Sequence, residues 1–295
     1  MDSQLIISQK KQKNSYRSKI ELRSPAKINL YLNIVGKSRG YHHLESIAER
    51  ISLFDKLSIE VKSDSSITIS SNNRKLETKK NLCYKAAKLI KDEFNIPFGF
   101  DIYLEKNIPI GSGLGGGSSN AAFTLLGIKE LLSLDISQDR LYRMGQKLGS
   151  DVNFFLAEAK FAYLSGRGQR VEPLPSKVKL SHIIIWPKIF VSTKAVYKNS
   201  KAKLTRFFSN VNILKYSLKN SDYHLIKKGV YNCLEKSTFA LYKKLSKIKG
   251  ILNKGELVSV MSGSGSAFYT IGLKDYKEIK KIASDKWTVS KVKTF

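Results

Sequence analysis

"PIGSGLGGGSSNAA", Pro109 to Ala122, places five glycines between positions 111 and 117 and runs directly into helix-forming residues. Successive glycines let a backbone curl closely around an anion and turn several N–H groups inward. Ser118, Ser119 and Asn120 then open a helix whose free N–H groups and dipole favour the same charge. Ordering so many glycines is entropically costly unless something is bound there. The stretch therefore reads as a phosphate-binding loop, and which kind of loop it is decides the fold.

Three familiar loops can be tested against its neighbours. Gly111, Gly113 and Gly116 satisfy GxGxxG, the dinucleotide fingerprint. That fingerprint belongs in the first βα turn, with an acid about 20 residues later for the ribose. Here several strand patterns precede the loop and position 131 is leucine, with Glu130 inside the following helix. The P-loop pattern GxxxxGK[ST] fits Gly111, Gly116 and Ser118, but its lysine position is Gly117, so the charge that reaches the β- and γ-phosphates is missing. No DFG or HRD motif follows, which excludes a protein-kinase loop. Whatever binds here draws its cation from elsewhere in the chain.

Upstream, "KINLYLNI" alternates Ile28, Leu30, Leu32 and Ile34 with Lys27, Asn29, Tyr31 and Asn33. That period of two predicts a strand with one buried face and Lys27 and Asn29 together on the polar one. "KLSIEV" and "SITIS" read as two strands about a Ser/Asp turn, "NLCYKAAKLIKDEF" as an amphipathic helix, and "FGFDIYLEKNI" as a strand burying Phe100, Ile102 and Leu104. After the loop, Ala121, Leu125, Ile128 and Leu132 predict a helix over 119–132. A second helix starts after Ser137 and stops at Gly149, a good C′ residue, and Asp151 stands where it could cap a third. Beyond residue 160 come strands at "FAYLSG" and "HIIIW", helices across 221–252 and a glycine hairpin at "VSVMSGSGSAFYTI". Strands and helices without regular βαβ alternation predict an α+β protein with largely antiparallel sheets.

The 295 residues allow about two domains, and 42% hydrophobic with 26% charged residues is ordinary globular composition. No apolar run reaches the roughly 18 residues that span a bilayer. Cys83 and Cys233 have no CxxC partner, which argues against a disulfide framework or a zinc site and suits a reducing cytoplasm. The net charge of +28 invites a nucleic-acid reading, but the lysines are scattered through almost every segment and no DNA- or RNA-reading motif accompanies them. They read as a solvated, compositionally biased surface. Residues 1–20 read as a basic, frayed extension rather than a targeting peptide, since they lack an apolar core and are poor in arginine.

The glycine loop resembles the second motif of the GHMP small-molecule kinases, the family of galactokinase, homoserine kinase, mevalonate kinase and phosphomevalonate kinase. "SPAKINLYLNIVGKSRGYHHLESI" resembles that family's first motif and "VMSGSGSAFY" its C-terminal glycine motif, so the resemblance spans about residues 22–275. It runs deepest in the branch whose acceptor is a cytidyl diphosphate-linked methylerythritol, through "PAKINLYLNIVGKSRGYHHLES", "GLGGGSSNAA", "GSDVNFFL" and "YNCLEKSTFALY". Departures are few. An aspartate is missing before "GYH", Asn153 replaces a usual proline, and Cys233 a usual aspartate.

The resemblance implies a two-domain fold: a ribosomal-protein-S5-domain-2-like ATP-binding domain over 21–160 and a ferredoxin-like, substrate-side domain over 161–284, with residues 285–295 returning to the first and an active site in the cleft between them. It implies ATP as co-substrate with Mg²⁺, no assigned protein ligand for the metal, and transfer of the γ-phosphoryl group to a hydroxyl of the acceptor. Asp151 takes the place of the catalytic base and Lys27 supplies the missing cation. Pro109, Ile110, Gly111, Ser112, Gly113, Leu114, Gly115, Gly116, Gly117, Ser118 and Ser119 hold ATP. Asn29, Tyr41, His42, Thr193, Tyr197, Gly263, Ser264 and Gly265 line the acceptor site, with Tyr41 and Tyr197 flanking the pyrimidine and His42 bonding its edge; His43 is structural. The implied partner is a small molecule, with no specific nucleic acid and no membrane, and the chain is a monomer or homodimer. A sister kinase acting on mevalonate or homoserine, and a basic nucleic-acid binder on a related fold, stand as the alternatives.

Overall fold

The computed structural model describes residues 18–38, 41–200, 210–253, 259–274, 276–283 and 285–295. Most of the expected extension over residues 1–20, and the Arg39–Gly40 step that lacks the aspartate, lie outside these. Lys19 and Ile20 do not belong to an extension: they begin strand β1 (Lys19–Ser38), with Ile20 buried. The strand order of the larger sheet is β3 (Ile67–Ser71), β4 (Gly99–Glu105), β2 (Tyr41–Lys62), β1, β8 (Tyr231–Asn232), with β5 (Phe161–Gly166) on β2 and β6 (Arg170–Pro173) on β5. Two strands are long enough to serve both compact units of the chain: β1 and β2.

One unit contains β1 up to Ala26, Leu53–Ile108 and Gly116–Glu158. Here β3 (Ile67–Ser71) runs parallel to β4 (Gly99–Glu105), and β4 antiparallel to β2, with Ile59 opposite Ile102. The expected alternation holds, since Phe100, Ile102 and Leu104 are buried. Helix α1 (Leu82–Glu93) starts at Asn81, whose side chain accepts from Cys83 N at 2.9 Å. Helix α2 (Gly116–Leu131) starts three residues earlier than the apolar spacing predicts, so Gly116 and Gly117 belong to its first turn. It ends at Leu131, which is buried, whereas Leu132 lies past the helix and is only half-buried. Gly127 lets α2 lie close on the sheet: a Cβ there would sit 2.6 Å from Leu22 Cδ1 and 3.0 Å from Ile59 Cδ1. Helix α3 (Gln138–Leu148) carries its Ser137 cap and stops at Gly149 as expected, but Gly149 is extended (φ 169°) rather than left-handed. Helix α4 (Val152–Leu156) follows at once.

The other unit contains Lys27–Ser52, Pro109–Gly115 and everything from Ala159. Strand β5 (Phe161–Gly166) pairs with β2 and with β6 (Arg170–Pro173), both antiparallel. A second sheet has the order β11-β7-β10-β9, all antiparallel. Its strands are β7 (Ser181–Trp186), β9 (Ser259–Met261), β10 (Phe268–Ile271) and β11 (Thr288–Lys293). The expected glycine hairpin is β9 and β10, in register Phe268 opposite Met261. Helices α5 (Thr193–Asn199), α6 (Asn210–Asn220), α7 (Tyr223–Gly229), α8 (Leu234–Leu241), α9 (Lys243–Leu252) and α10 (Tyr276–Ala283) accompany these strands. Ile183, Ile185, Leu245, Leu252, Met261, Phe268 and Ile279 form a buried cluster between them.

No single boundary near residue 160 separates the units, because β1, β2 and the glycine loop each contribute to both. The last strand, β11, pairs with β7, and the chain end also meets β2, with Thr294 bridging Ile51 and Phe295 N donating to Arg50 O at 3.0 Å, so residues 285–295 do reach the stretch 21–160. The polar face of "KINLYLNI" is also buried, with Lys27, Asn29, Tyr31 and Asn33 all 7% exposed or less. Period-two patterning shows that a strand has two chemically different faces, not that the polar one meets water. In the short element β8 (Tyr231–Asn232), Tyr231 pairs parallel with Tyr31.

Candidate active site

Within the second unit the two glycine segments meet. Gly111, Gly113 and Gly115 hold φ of 65°, 81° and 71°, the left-handed region that turns successive N–H groups to one side. A Cβ on Gly113 would fall on the carbonyl oxygen of Ser262, the residue before Gly263. Ser262 Oγ donates to Gly113 O at 3.0 Å and Ala267 N donates to Ser112 O at 2.9 Å. Ser112, itself buried, donates to Pro109 O at 2.6 Å, and Leu114 is buried below the turn while Ile110 is exposed. Phe190, 68% exposed, lies against Gly111.

Lys27 is tied to this pair of turns by its own backbone, its N–H donating to Leu114 O at 2.9 Å. Its ammonium donates to Asn29 Oδ1 at 2.6 Å. That oxygen lies 3.5 Å from where a Cβ on Gly263 would sit. The second turn is braced from below: Asn232 Nδ2 donates to Met261 O (2.6 Å) and Gly263 O (2.7 Å), and Thr238 Oγ1 to Ser264 O (3.1 Å). Thr193 Oγ1 and Ser264 Oγ are hydrogen-bonded at 2.8 Å, so the start of α5 reaches the turn through Gly263, Ser264 and Gly265. Cys233, where an aspartate is usual, precedes α8 without capping it, and Asn232 Oδ1 accepts from Leu234 N instead, at 2.9 Å. Burial pushes the Cys233 thiol up to about 11.

The aromatic residues pair differently from the expected sandwich. Tyr197 lies beside His42, with ring centroids 5.6 Å apart and planes tilted by 44°. Tyr41, 53% exposed, carries Arg167 over its ring with Cζ at 3.8 Å. Adjacent strand residues point in different directions, which accounts for the different partners of Tyr41 and His42. Burial and the Lys37 cation hold the His42 imidazole below its usual value, leaving it a neutral donor and acceptor near neutrality. His43 bonds Ser38 Oγ at 2.5 Å.

The first unit holds the remainder of the glycine loop. Gly116 begins α2 over the side chains of Lys106 and Ile108; a Cβ there would lie 2.8 Å from Lys106 Nζ. Gly117, at the P-loop lysine position, is exposed. Ser119 Oγ, at the start of α2, is fully buried and has no hydrogen-bond partner among the described residues. Ser118 Oγ lies 3.8 Å from where a Cβ on Gly149 would sit, which brings the Gly149-Ser150-Asp151 segment to the same helix end. Asp151 occupies the N-cap position of α4, yet its carboxylate makes no cap hydrogen bond there. Asn153 is buried against Gly145 in α3.

Sequence reading missed the buried group under the loop. Lys106 Nζ and Asp55 Oδ2 are 2.5 Å apart and almost fully enclosed. Asp55 Oδ1 also accepts from the backbone N–H of Asn107 and Ile108, each at 2.7 Å. Asn120 Nδ2 donates to Asp55 Oδ2 (2.9 Å) and Ser24 Oγ (2.7 Å). Burial pulls Lys106 below its ordinary range against the opposing pull of Asp55. The position of Lys106 three residues before Pro109 was the available signal. Among the described residues no group of three or more His, Cys, Asp or Glu could hold a metal ion, and no helix is long and apolar enough to cross a membrane.

A loop without a lysine, a lysine delivered by a strand and a second glycine turn against the first match what the resemblance to the GHMP small-molecule kinases implies. Comparison with known proteins agrees: residues 81–158 match the GHMP kinases N terminal domain and residues 214–287 the GHMP kinases C terminal domain. The chain is 38% identical over 255 residues to 4-diphosphocytidyl-2-C-methyl-D-erythritol kinase of Lachnoclostridium phytofermentans, covering 85% of this chain and 87% of that one. It is 34% identical over 262 residues to the enzyme of the same name from Caldicellulosiruptor saccharolyticus, covering 88% and 90%. A crystal structure of 4-(cytidine 5'-diphospho)-2C-methyl-D-erythritol kinase superposes with TM-score 0.77 at 28% identity, over 93% of this chain and 98% of that one. Homoserine kinase from Cytophaga hutchinsonii shares the fold, with TM-score 0.74 at 17% identity over 97% of each chain. The chain belongs to the GHMP kinase family, among the 4-diphosphocytidyl-2-C-methyl-D-erythritol kinases.

Proposed function

We propose that the chain transfers the γ-phosphoryl group of ATP to the 2-hydroxyl of 4-diphosphocytidyl-2-C-methyl-D-erythritol, giving the 2-phosphate in the methylerythritol phosphate route to isopentenyl diphosphate. The observation that carries this is the buried Lys27–Asn29 pair set against two interlocked glycine turns. A desolvated ammonium beside phosphate-binding backbone is far more effective than one in water. The glycine loop from Pro109 to Ser119 holds the ATP phosphates, and Lys27 replaces the absent P-loop lysine. Asp151 accepts the proton of the acceptor hydroxyl as its oxygen bonds to the γ-phosphorus and the bond from that phosphorus to the β–γ bridging oxygen breaks. His42, Tyr197 and Thr193 hold the cytidyl half, and Tyr41 with Arg167 forms a second aromatic-cationic wall.

Mg²⁺, if carried in by ATP, would supply positive charge against the phosphates. The buried hydroxyl of Ser119 fits such a hard ion or a phosphate oxygen. Both cysteines are unpaired, which suits a reducing cytoplasm. An ATP-coupled assay with the cytidyl compound, mevalonate and homoserine tests the assignment. Turnover of the cytidyl compound alone is expected. Asp151→Asn should lower it about 10²–10⁴-fold with nucleotide binding retained. Turnover of mevalonate or homoserine instead would overturn the acceptor, and near-normal turnover in Asp151→Asn would remove the base.

A further inference from the structure

We infer that Ser46, which the sequence did not single out, is a positioning residue that sets the orientation of the Asn29 amide and through it the Lys27 ammonium. The argument is one of hydrogen counting. Ser46 Oγ has a single hydrogen, and it donates that hydrogen to Tyr31 O at 2.6 Å. Toward Asn29 the hydroxyl can therefore only accept, and it does so from Asn29 Nδ2 at 2.8 Å. With the amide nitrogen committed to Ser46, Oδ1 must face the other way, where Lys27 Nζ donates to it at 2.6 Å. The reversed amide would set two hydrogens against an ammonium that can only donate. Tyr269 completes the clamp: its hydroxyl donates to Asn29 O at 3.0 Å, and deep burial beside Glu49 keeps that phenol protonated. Ser46, Asn29 and Lys27 are 1%, 4% and 4% exposed, so water cannot replace a lost partner cheaply.

The inference rests on Lys27 acting on the transferring phosphoryl group, and the test separates the two. Ser46→Ala should lower kcat about tenfold, the size of one lost buried hydrogen bond. KM for ATP should change less than about twofold, because neither Ser46 nor Asn29 belongs to the loop assigned to ATP. In a Lys27→Met background, followed by single-turnover kinetics, the same Ser46→Ala change should cost less than about twofold, since the group it orients is gone. A structural defect would instead carry over undiminished. Near-normal turnover in Lys27→Met would sink the role of Lys27 and this inference with it. A large loss in Lys27→Met with full activity in Ser46→Ala, or with an additive loss in the double variant, would overturn the role of Ser46 alone.

Discussion

Gly113 and Gly250 illustrate how one residue type serves two purposes. Gly113 has φ 81° and its missing Cβ makes room for the Ser262 carbonyl, whereas a Cβ on Gly250 in α9 would meet nothing within 4 Å. A left-handed non-glycine residue costs about 1–2 kcal/mol before any overlap. Gly113→Ala is therefore expected to weaken ATP binding about tenfold or more, read by nucleotide titration. Gly250→Ala should leave binding unchanged and raise stability by about 0.5–1 kcal/mol in urea unfolding. The same contrast separates Lys27 from the chain's many other lysines. Its chemistry comes from burial against Asn29 and not from its identity.

At the scale of elements, the start of α2 is held by charge as much as by packing. Asp55 leaves β2 to receive Lys106, Asn120 and two backbone N–H groups, so β2, the end of β4 and the helix bearing the glycines converge on one carboxylate. Removing one member of a buried pair strands the other. Asp55→Ala is expected to cost about 3–5 kcal/mol by urea denaturation, and adding Lys106→Met should recover part of it by removing the stranded charge. Secondary structure itself was largely legible. The start after Ser137, the alternation over Phe100–Leu104 and the glycine hairpin are local signals, and each stands where its pattern predicts. The ends of α2 were not, because a helix can begin inside a glycine run when its N–H groups have a role there, and apolar spacing carries no record of that.

For the molecule as a whole, the second sheet is pinned by a buried polar chain. His182 Nε2 is 2.9 Å from Glu49 Oε2, its Nδ1 is 2.9 Å from Thr270 O, and Thr294 Oγ1 donates to Glu49 Oε1 at 2.6 Å. Burial alone would lower the imidazole, but Glu49 and the Thr270 carbonyl outweigh it and raise His182 above its ordinary 6.5. A raised folded value means that the contribution is complete below about pH 6.5 and is lost as pH rises through the folded value. The difference in Tm between wild type and His182→Gln should thus shrink as the pH is raised above about 6.5. A difference independent of pH would show that the pair does not titrate on unfolding. No motif marks this chain, whose members are 133 and 245 residues apart in sequence.

The sequence by itself determined that Pro109–Ser119 is a glycine loop without a lysine of its own, and that the chain is an α+β kinase of the GHMP type. These are properties of short stretches, in which backbone freedom, spacing and residue chemistry are written side by side. Only the tertiary structure decided which faces are dry, that His42 rather than Tyr41 stands beside Tyr197, and that Asp55 and Lys106 underlie the loop. It alone decided that Ser46 faces Asn29. Burial and hydrogen-bond direction depend on what covers a residue, and the covering groups come from distant parts of the chain. The glycine loop is legible from composition, while the amide that accepts from the Lys27 ammonium donates to a serine 17 residues away, a pairing no local pattern carries.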